Sequence, residues 1–192
     1  PARARADAAR ATRLLTLAAG VAIAEGVEAA TGLAVDLKWP NDLQIGGRKI
    51  AGILAEAIGA DRPEASVILG YGINVGPTIY PPELAERATS LAAELGRPVD
   101  RPMLLIETLA ALGRRYDDLL AGRFDAILDA WRRRAPGSIG ARVTWTEPSG
   151  PQSGLTAGID DHGALLVDMG DRVERIDAGE VNWTSSPYAS RH

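Results

Sequence analysis

The chain has 192 residues, 46% of them hydrophobic and 24% charged, with a formal net charge of -4. That length suits one mid-sized domain plus a small one, and the acidic balance argues against general affinity for nucleic acid or anionic membranes. With no cysteine in the chain, a disulfide framework, a thiolate metal site and a cysteine nucleophile are all excluded.

No uninterrupted apolar run reaches the roughly 20 residues that span a bilayer, and no basic-then-apolar leader opens the chain. A cytoplasmic protein is therefore expected. Residues 8–31 carry Leu14, Leu15, Leu17, Ala18, Val21 and Ala22 at helical spacing and stop at Gly32, which predicts one long helix. Residues 33–38 alternate as a short strand, ended by Pro40, which removes a backbone donor. Residues 43–45 and 49–57 flank Gly46-Gly47, a dipeptide suited to a tight hairpin turn. Asp61-Arg62-Pro63-Glu64 makes the next turn, and residues 65–73 are apolar enough to predict a strand buried on both faces. These strands read as a consecutive antiparallel sheet.

Helices follow at 81–88, 89–95, 103–121 and 124–134, the third with Asp100 as cap and Pro102 in its first turn, where a missing donor costs little. Arg132-Arg133-Arg134 closes the last helix, where cations suit the dipole, and reads as a solvated face. Ala135-Pro136-Gly137-Ser138 is the domain boundary. Beyond it, short period-two strands at 142–146, 154–159, 164–168, 173–176 and 180–183 predict a small barrel. His162 falls in a turn and His192 is terminal, so the two histidines make no metal site.

The chemistry concentrates in Lys38-Trp39-Pro40-Asn41-Asp42, continued past the turn by Arg48-Lys49-Ile50-Ala51-Gly52-Ile53-Leu54, and in Gly70-Tyr71-Gly72-Ile73-Asn74-Val75. Lysines, a carboxylate and glycines amid apolar residues suit an anionic ligand. Glycine inside a strand otherwise weakens it, so Gly52 is read as a place where a ligand approaches the backbone. Gly70 and Gly72 share a face, and no third glycine opens a helix to make a dinucleotide fingerprint. Arg48 alternates to the opposite face from Lys49 as a surface cation. Read by residue type alone, Asp42 equally suits an Asx turn after Pro40, Asn74 a turn at its strand end, and Lys49 a solvated hairpin lysine. Trp39 reads as a core or turn anchor.

This pattern strongly resembles the biotin protein ligases. The resemblance implies an α+β fold, a mixed and mostly antiparallel sheet with helices on one side, followed by an SH3-like β barrel. Residues 1–135 would be the catalytic domain, 138–186 the C-terminal domain and 187–192 a tail. It implies activation of biotin with ATP to biotinyl-5'-AMP, aided by Mg2+, and transfer of biotin to a lysine of a biotin carboxyl carrier protein. Lys49 and Lys38 would be catalytic. Lys49, Gly52, Ile53, Leu54, Gly70 and Gly72 would bind biotin. Lys38, Asn41, Asp42 and Asn74 would bind the nucleotide, with Asp42 also a candidate Mg2+ partner.

Related lipoate and octanoyl transferases that use a thioester need a cysteine, which is lacking here. The other class to weigh is a non-catalytic binding or dimerising module of the same fold, and a homodimer is compatible with either. The family pattern also includes a Gly-Arg-Gly-Arg-x-Gly-Arg loop, a Ser-Thr-Asn segment and a glutamine on the biotin side, none of which is in the sequence. The expectation is a fragment of a complete ligase, with a natural short form as the alternative. Pro1-Ala2-Arg3-Ala4-Arg5-Ala6 would be the link into the first helix. The family's optional winged-helix domain is likewise not in the sequence, so DNA binding is not expected.

Overall fold

The structure, a computed structural model, describes residues 2–58, 66–77, 80–148, 150–179 and 181–184. The turn at Asp61-Arg62-Pro63-Glu64, Glu180 at the head of the last expected strand, the 187–192 tail and His192 lie outside the described residues.

Helix α1 (Ala2–Thr31) is the central element, and it already includes residues 2–6, which the sequence suggested were a link. Leu14, Leu17, Val21, Ala22, Ile23, Ala24 and Val27 are all buried. A helix apolar nearly all round belongs inside a protein, and α1 packs against strands on one side and later helices on another. Its stretch from Asp7 to Thr31 has the length and composition to cross a bilayer, yet most of that apolar window is covered by protein. Gly32 ends the helix at φ 78°, its N–H bonded to the Glu28 carbonyl at 2.8 Å.

Strands β1 (Asp36–Lys38), β2 (Asp42–Ile45), β3 (Arg48–Ile58) and β4 (Ser66–Ile73) form a four-stranded sheet in that order, antiparallel throughout. Leu37, Leu43, Ala51 and Ile53 are buried on the α1 side, where Gly20 lets the sheet come close: a Cβ there would sit 3.5 Å from Leu37 and 3.7 Å from Ile53. The β2–β3 turn is the Gly46-Gly47 dipeptide, with φ 56° and 79°, the positive values that a two-residue hairpin demands. Strand β4 corrects the sequence reading. Leu69, Tyr71 and Ile73 pack against the core, whereas Ile68, Gly70 and Gly72 are exposed, so only one face is covered.

Helices α2 (Pro82–Ala85), α3 (Leu91–Leu95), α4 (Arg101–Leu120) and α5 (Phe124–Arg134) follow. Helix α2 is shorter than expected because residues 87–89 lie alongside the start of β3. The Lys49 N–H bonds to the Arg87 carbonyl at 2.7 Å and the Thr89 N–H to the Lys49 carbonyl at 2.9 Å. Ser90 caps α3 and Asp100 caps α4, the latter accepting from the Met103 N–H at 2.9 Å. Ion pairs tie the later helices to α1, among them Arg115 of α4 to Glu25, Arg134 of α5 to Glu28 at 3.0 Å and Asp125 of α5 to Arg10 at 3.4 Å. Arg134 is thus engaged with α1 and is not part of a solvated face.

The 3-10 turn Pro136–Ser138 leads into β5 (Ile139–Glu147), β6 (Gly150–Ile159), β7 (Leu165–Asp168), β8 (Val173–Ile176) and β9 (Asn182–Trp183). They form a second antiparallel sheet in the order β8-β7-β6-β5-β9. Its inner residues Val143, Trp145, Leu165 and Val167 join the same hydrophobic core as α1 and α5, so the two sheets are fastened through apolar contact.

Candidate active site

Register alone assembles the first layer. Lys38 pairs with Asp42, Asp42 with Gly52 and Gly52 with Gly72, a row across all four strands on the face turned away from α1. Leu54 pairs with Gly70 beside that row and is exposed, so it too lies on the open face.

Strict alternation would put Lys49 and Gly52 on opposite faces. A register shift between Leu43 and Gln44 resolves the conflict: Leu43 faces Ala51 but Gln44 faces Lys49, leaving Ile50 as the extra residue of a β-bulge. Bulges re-aim side chains beside functional sites, and here Lys49 turns to the open face while Ile50 is fully buried. The Lys49 ammonium lies 2.5 Å from the Asp42 carboxylate. Its stem crosses Gly52, where a Cβ would approach Nζ to 3.2 Å and Cε to 3.3 Å. Gly52 thereby gives Lys49 room to lie flat on the sheet. Arg48 points the other way and pairs with Glu94 at 2.7 Å.

Lys38 is half-buried at the end of the row. Burial first, and then the Lys49 and Arg87 cations, hold its ammonium below the usual lysine range, against the opposing pull of Asp42. Its Nζ lies 5.8 Å from the centre of the Trp183 ring, in the last strand of the second sheet. Neither Arg87 nor Trp183 was singled out in the sequence, where Arg87 was placed in a short helix and Trp183 in a barrel strand.

The remaining candidates are structural in placement. Trp39 is buried, joined to Pro40 by a cis peptide bond, and its indole N–H donates to the Gly163 carbonyl at 3.0 Å. The Asn41 amide donates to the Ile53 carbonyl at 2.7 Å, and that of Asn74 to the Thr89 carbonyl at 3.1 Å. Asn74 also receives the Leu91 N–H on its own carbonyl at 2.9 Å, so it pins the 87–91 segment to the sheet. Ile53 is a correction. It is 3% exposed and packs on α1, because its side of β3 is the core side, so it walls no open slot.

Two family descriptions match the chain: the Biotin/lipoate A/B protein ligase family over residues 3–74, and the Biotin protein ligase C terminal domain over residues 138–182. A biotin--[acetyl-CoA-carboxylase] ligase of Paracoccus denitrificans is 32% identical over 172 residues, which cover 87% of this chain and 71% of that protein. The chain belongs to the biotin protein ligase family. The bifunctional ligase/repressor BirA of Bacillus subtilis (strain 168) is 37% identical over 172 residues, 88% of this chain but 53% of that protein, so the chain spans about half the length of this relative. Among solved structures, a biotin protein ligase from Aquifex aeolicus in complex with biotin and ATP aligns with a TM-score of 0.77 at 27% identity, covering 90% of this chain and 71% of that one. The first biotin ligase match includes the whole Lys38–Asp42–Gly52–Gly72 row, Lys49 and Asn74, whereas Arg87 and Trp183 lie outside both matched segments.

Proposed function

We propose that this chain carries the nucleotide and phosphate side of a biotin protein ligase site, which activates biotin with ATP and passes it to a carrier-protein lysine. The observation that carries this reading is the gathering of Lys38, Lys49 and Arg87 beside a glycine-floored open face. In the first step a biotin carboxylate oxygen attacks the α-phosphorus and the bond to pyrophosphate breaks. Negative charge builds on the phosphoryl oxygens, where fixed cations are worth most.

Lys49 is assigned to the meeting point of biotin carboxylate and α-phosphate, Lys38 and Arg87 to the phosphates, and Gly52, Gly70, Gly72 and Leu54 to the floor and wall beneath biotin. Asn41 and Asn74 are assigned to holding the backbone that presents these groups. In the second step the acceptor amine attacks the acyl carbon of biotinyl-5'-AMP, AMP leaves with the bonding electrons, and the amine proton goes to solvent. No covalent enzyme intermediate is needed.

Among the described residues no three metal-ligating side chains cluster, and Asp42 spends its carboxylate on Lys49. A Mg2+ ion in this reading rides on the phosphates of ATP, and no step is routed through a protein-held metal. The acceptor is taken to be the biotin carboxyl carrier protein, the location cytoplasmic, and residues 1–135 and 138–186 two domains sharing one core.

The test is release of pyrophosphate, which should require biotin and ATP together. ATP binding with no biotin-dependent release would sink the catalytic reading and leave a nucleotide-binding module. A pH experiment addresses Lys38. Because its folded pKa lies below that of a free lysine, the unfolded chain holds more protons between the two values and stability rises with pH there. Phosphate affinity needs the protonated form and falls over the same interval. ATP affinity should therefore decline on the alkaline side earlier than a free lysine would dictate, and Lys38→Arg should carry that decline to higher pH, as seen by calorimetric titration. An unchanged alkaline limb in Lys38→Arg would remove Lys38 from the phosphate contacts.

A further inference from the structure

Three observations converge on Trp183. Its ring lies within cation-attraction range of the Lys38 ammonium, at 5.8 Å. Backbone pairing fixes its place: Trp183 pairs with Val143 across β5, and the Thr184 N–H bonds to the Arg142 carbonyl at 3.0 Å. Its indole N–H is buried and finds no hydrogen-bond acceptor among the described residues, unlike that of Trp39, which reaches the Gly163 carbonyl, and that of Trp145, which reaches Glu147, both at 3.0 Å. An unmade buried hydrogen bond is costly, so a hydrogen bond of its own does not account for where the Trp183 ring sits. The ring packs against the shared apolar core and at the same time presents its face to the Lys38 ammonium.

The electrostatics of the row explain why Lys38 needs such a contact. Lys38 shares the attraction of Asp42 with Lys49, which is bonded to that carboxylate at 2.5 Å, while burial and the Lys49 and Arg87 cations act against its charge. An aromatic face offers a desolvated ammonium attraction without adding a negative charge that would repel an incoming phosphate. Trp39, next in the chain to Lys38, is fastened to the Gly163 carbonyl in the turn between β6 and β7. Lys38 and its neighbour are therefore both held from the C-terminal side.

We propose that Trp183 is a positioning residue of the nucleotide site: its ring, presented by the last strand of the C-terminal sheet, holds the Lys38 ammonium toward the open face. The inference rests on the reading above that Lys38 meets the ATP phosphates. It assigns to the C-terminal sheet a part in the chemistry carried by the first.

The experiment measures ATP affinity by calorimetry in the full chain without biotin, for Trp183→Leu, Trp183→Phe, Lys38→Met and the double variant Lys38→Met/Trp183→Leu. Leucine keeps apolar volume but removes the ring, and phenylalanine restores a ring. Trp183→Leu should weaken ATP binding by about tenfold, the effect of a desolvated cation–π contact, and Trp183→Phe should recover most of that loss. In the Lys38→Met background Trp183→Leu should have little further effect, since the pair acts as one unit. Thermal midpoints measured alongside separate affinity from stability. Additive losses in the cycle, or equal losses in the leucine and phenylalanine variants that track the thermal midpoint, would overturn the proposal. If the coupling appears but wild type releases no pyrophosphate, the catalytic reading fails and the role of Trp183 stands; no ATP binding to wild type overturns both.

Discussion

On the proposed assignment, replacing Lys49 by alanine should lower biotin-dependent adenylate formation by about 100-fold or more, the magnitude of losing one donor aimed at developing charge. Geometry adds to this figure. The Lys49 ammonium neutralises Asp42 at 2.5 Å, so its removal leaves a carboxylate facing two incoming anions, and an uncompensated charge costs more than the absent contact alone. Asp42→Asn in the Lys49→Ala background should therefore return part of the lost rate. Pyrophosphate release measured at saturating biotin and ATP decides the matter, and near-normal turnover in Lys49→Ala would defeat the assignment. Lys49→Arg should not substitute, because the alkyl stem lies flat over Gly52 and a planar guanidinium is a bulkier, differently shaped head.

The largest expected effect on stability is at Gly26→Ala. In an exposed helix this change stabilises by about 1 kcal/mol. Here a Cβ would fall 2.5 Å from the Thr108 Cα and 2.7 Å from its backbone nitrogen, where no flexible side chain can give way. Helices α1 and α4 would have to separate, and overpacking of this kind costs about 3 kcal/mol, which outweighs the propensity gain and leaves a net loss of about 2 kcal/mol. Gly113→Ala on α4 is the control: nothing lies within 4 Å of its Cβ position, so it should stabilise by about 1 kcal/mol. Urea unfolding that moves both variants in the same direction would contradict this account.

The two glycines show what sequence reading can and cannot reach. Nothing local separates Gly26 from Gly113, since the difference is a neighbour far along the chain. Helices α1, α4 and α5 were legible because their apolar spacing and stops are local, and Asp100 caps α4 as its position suggested. Strand β4 was misjudged on its second face because a strand with one open face and a strand buried on both can be equally apolar in composition. Its exposed Ile68, Gly70 and Gly72 were distinguishable only once the sheet was formed.

In the candidate site, Lys38, Asp42, Lys49, Gly52, Gly70 and Gly72 were readable as a group because they lie in short neighbouring strands. Their common face was not, because it depends on the bulge at Ile50, which has no residue signature. Ile53 was misplaced for the related reason that adjacent residues in a regular strand cannot both face a ligand. Trp183 reaches Lys38 from the far end of the chain, and only the packing of the second sheet brings the two together.

The hairpin tip has a bearing on the site out of proportion to its distance from it. The two-residue Gly46-Gly47 turn pairs Ile45 with Arg48, while further along Asp42 pairs with Gly52. Those two alignments differ by one residue, and the buried Ile50 absorbs the difference. A side chain at Gly46 or Gly47 would resist the positive φ of both positions. A three-residue loop, the next common solution, would take up the surplus residue at the tip. The strand would then run straight, with Lys49 opposite Ile45 and rotated toward the core. The glycines at the tip thus act as a remote selector of which face Lys49 occupies, and changes there would disarm the site without substituting any of its own residues.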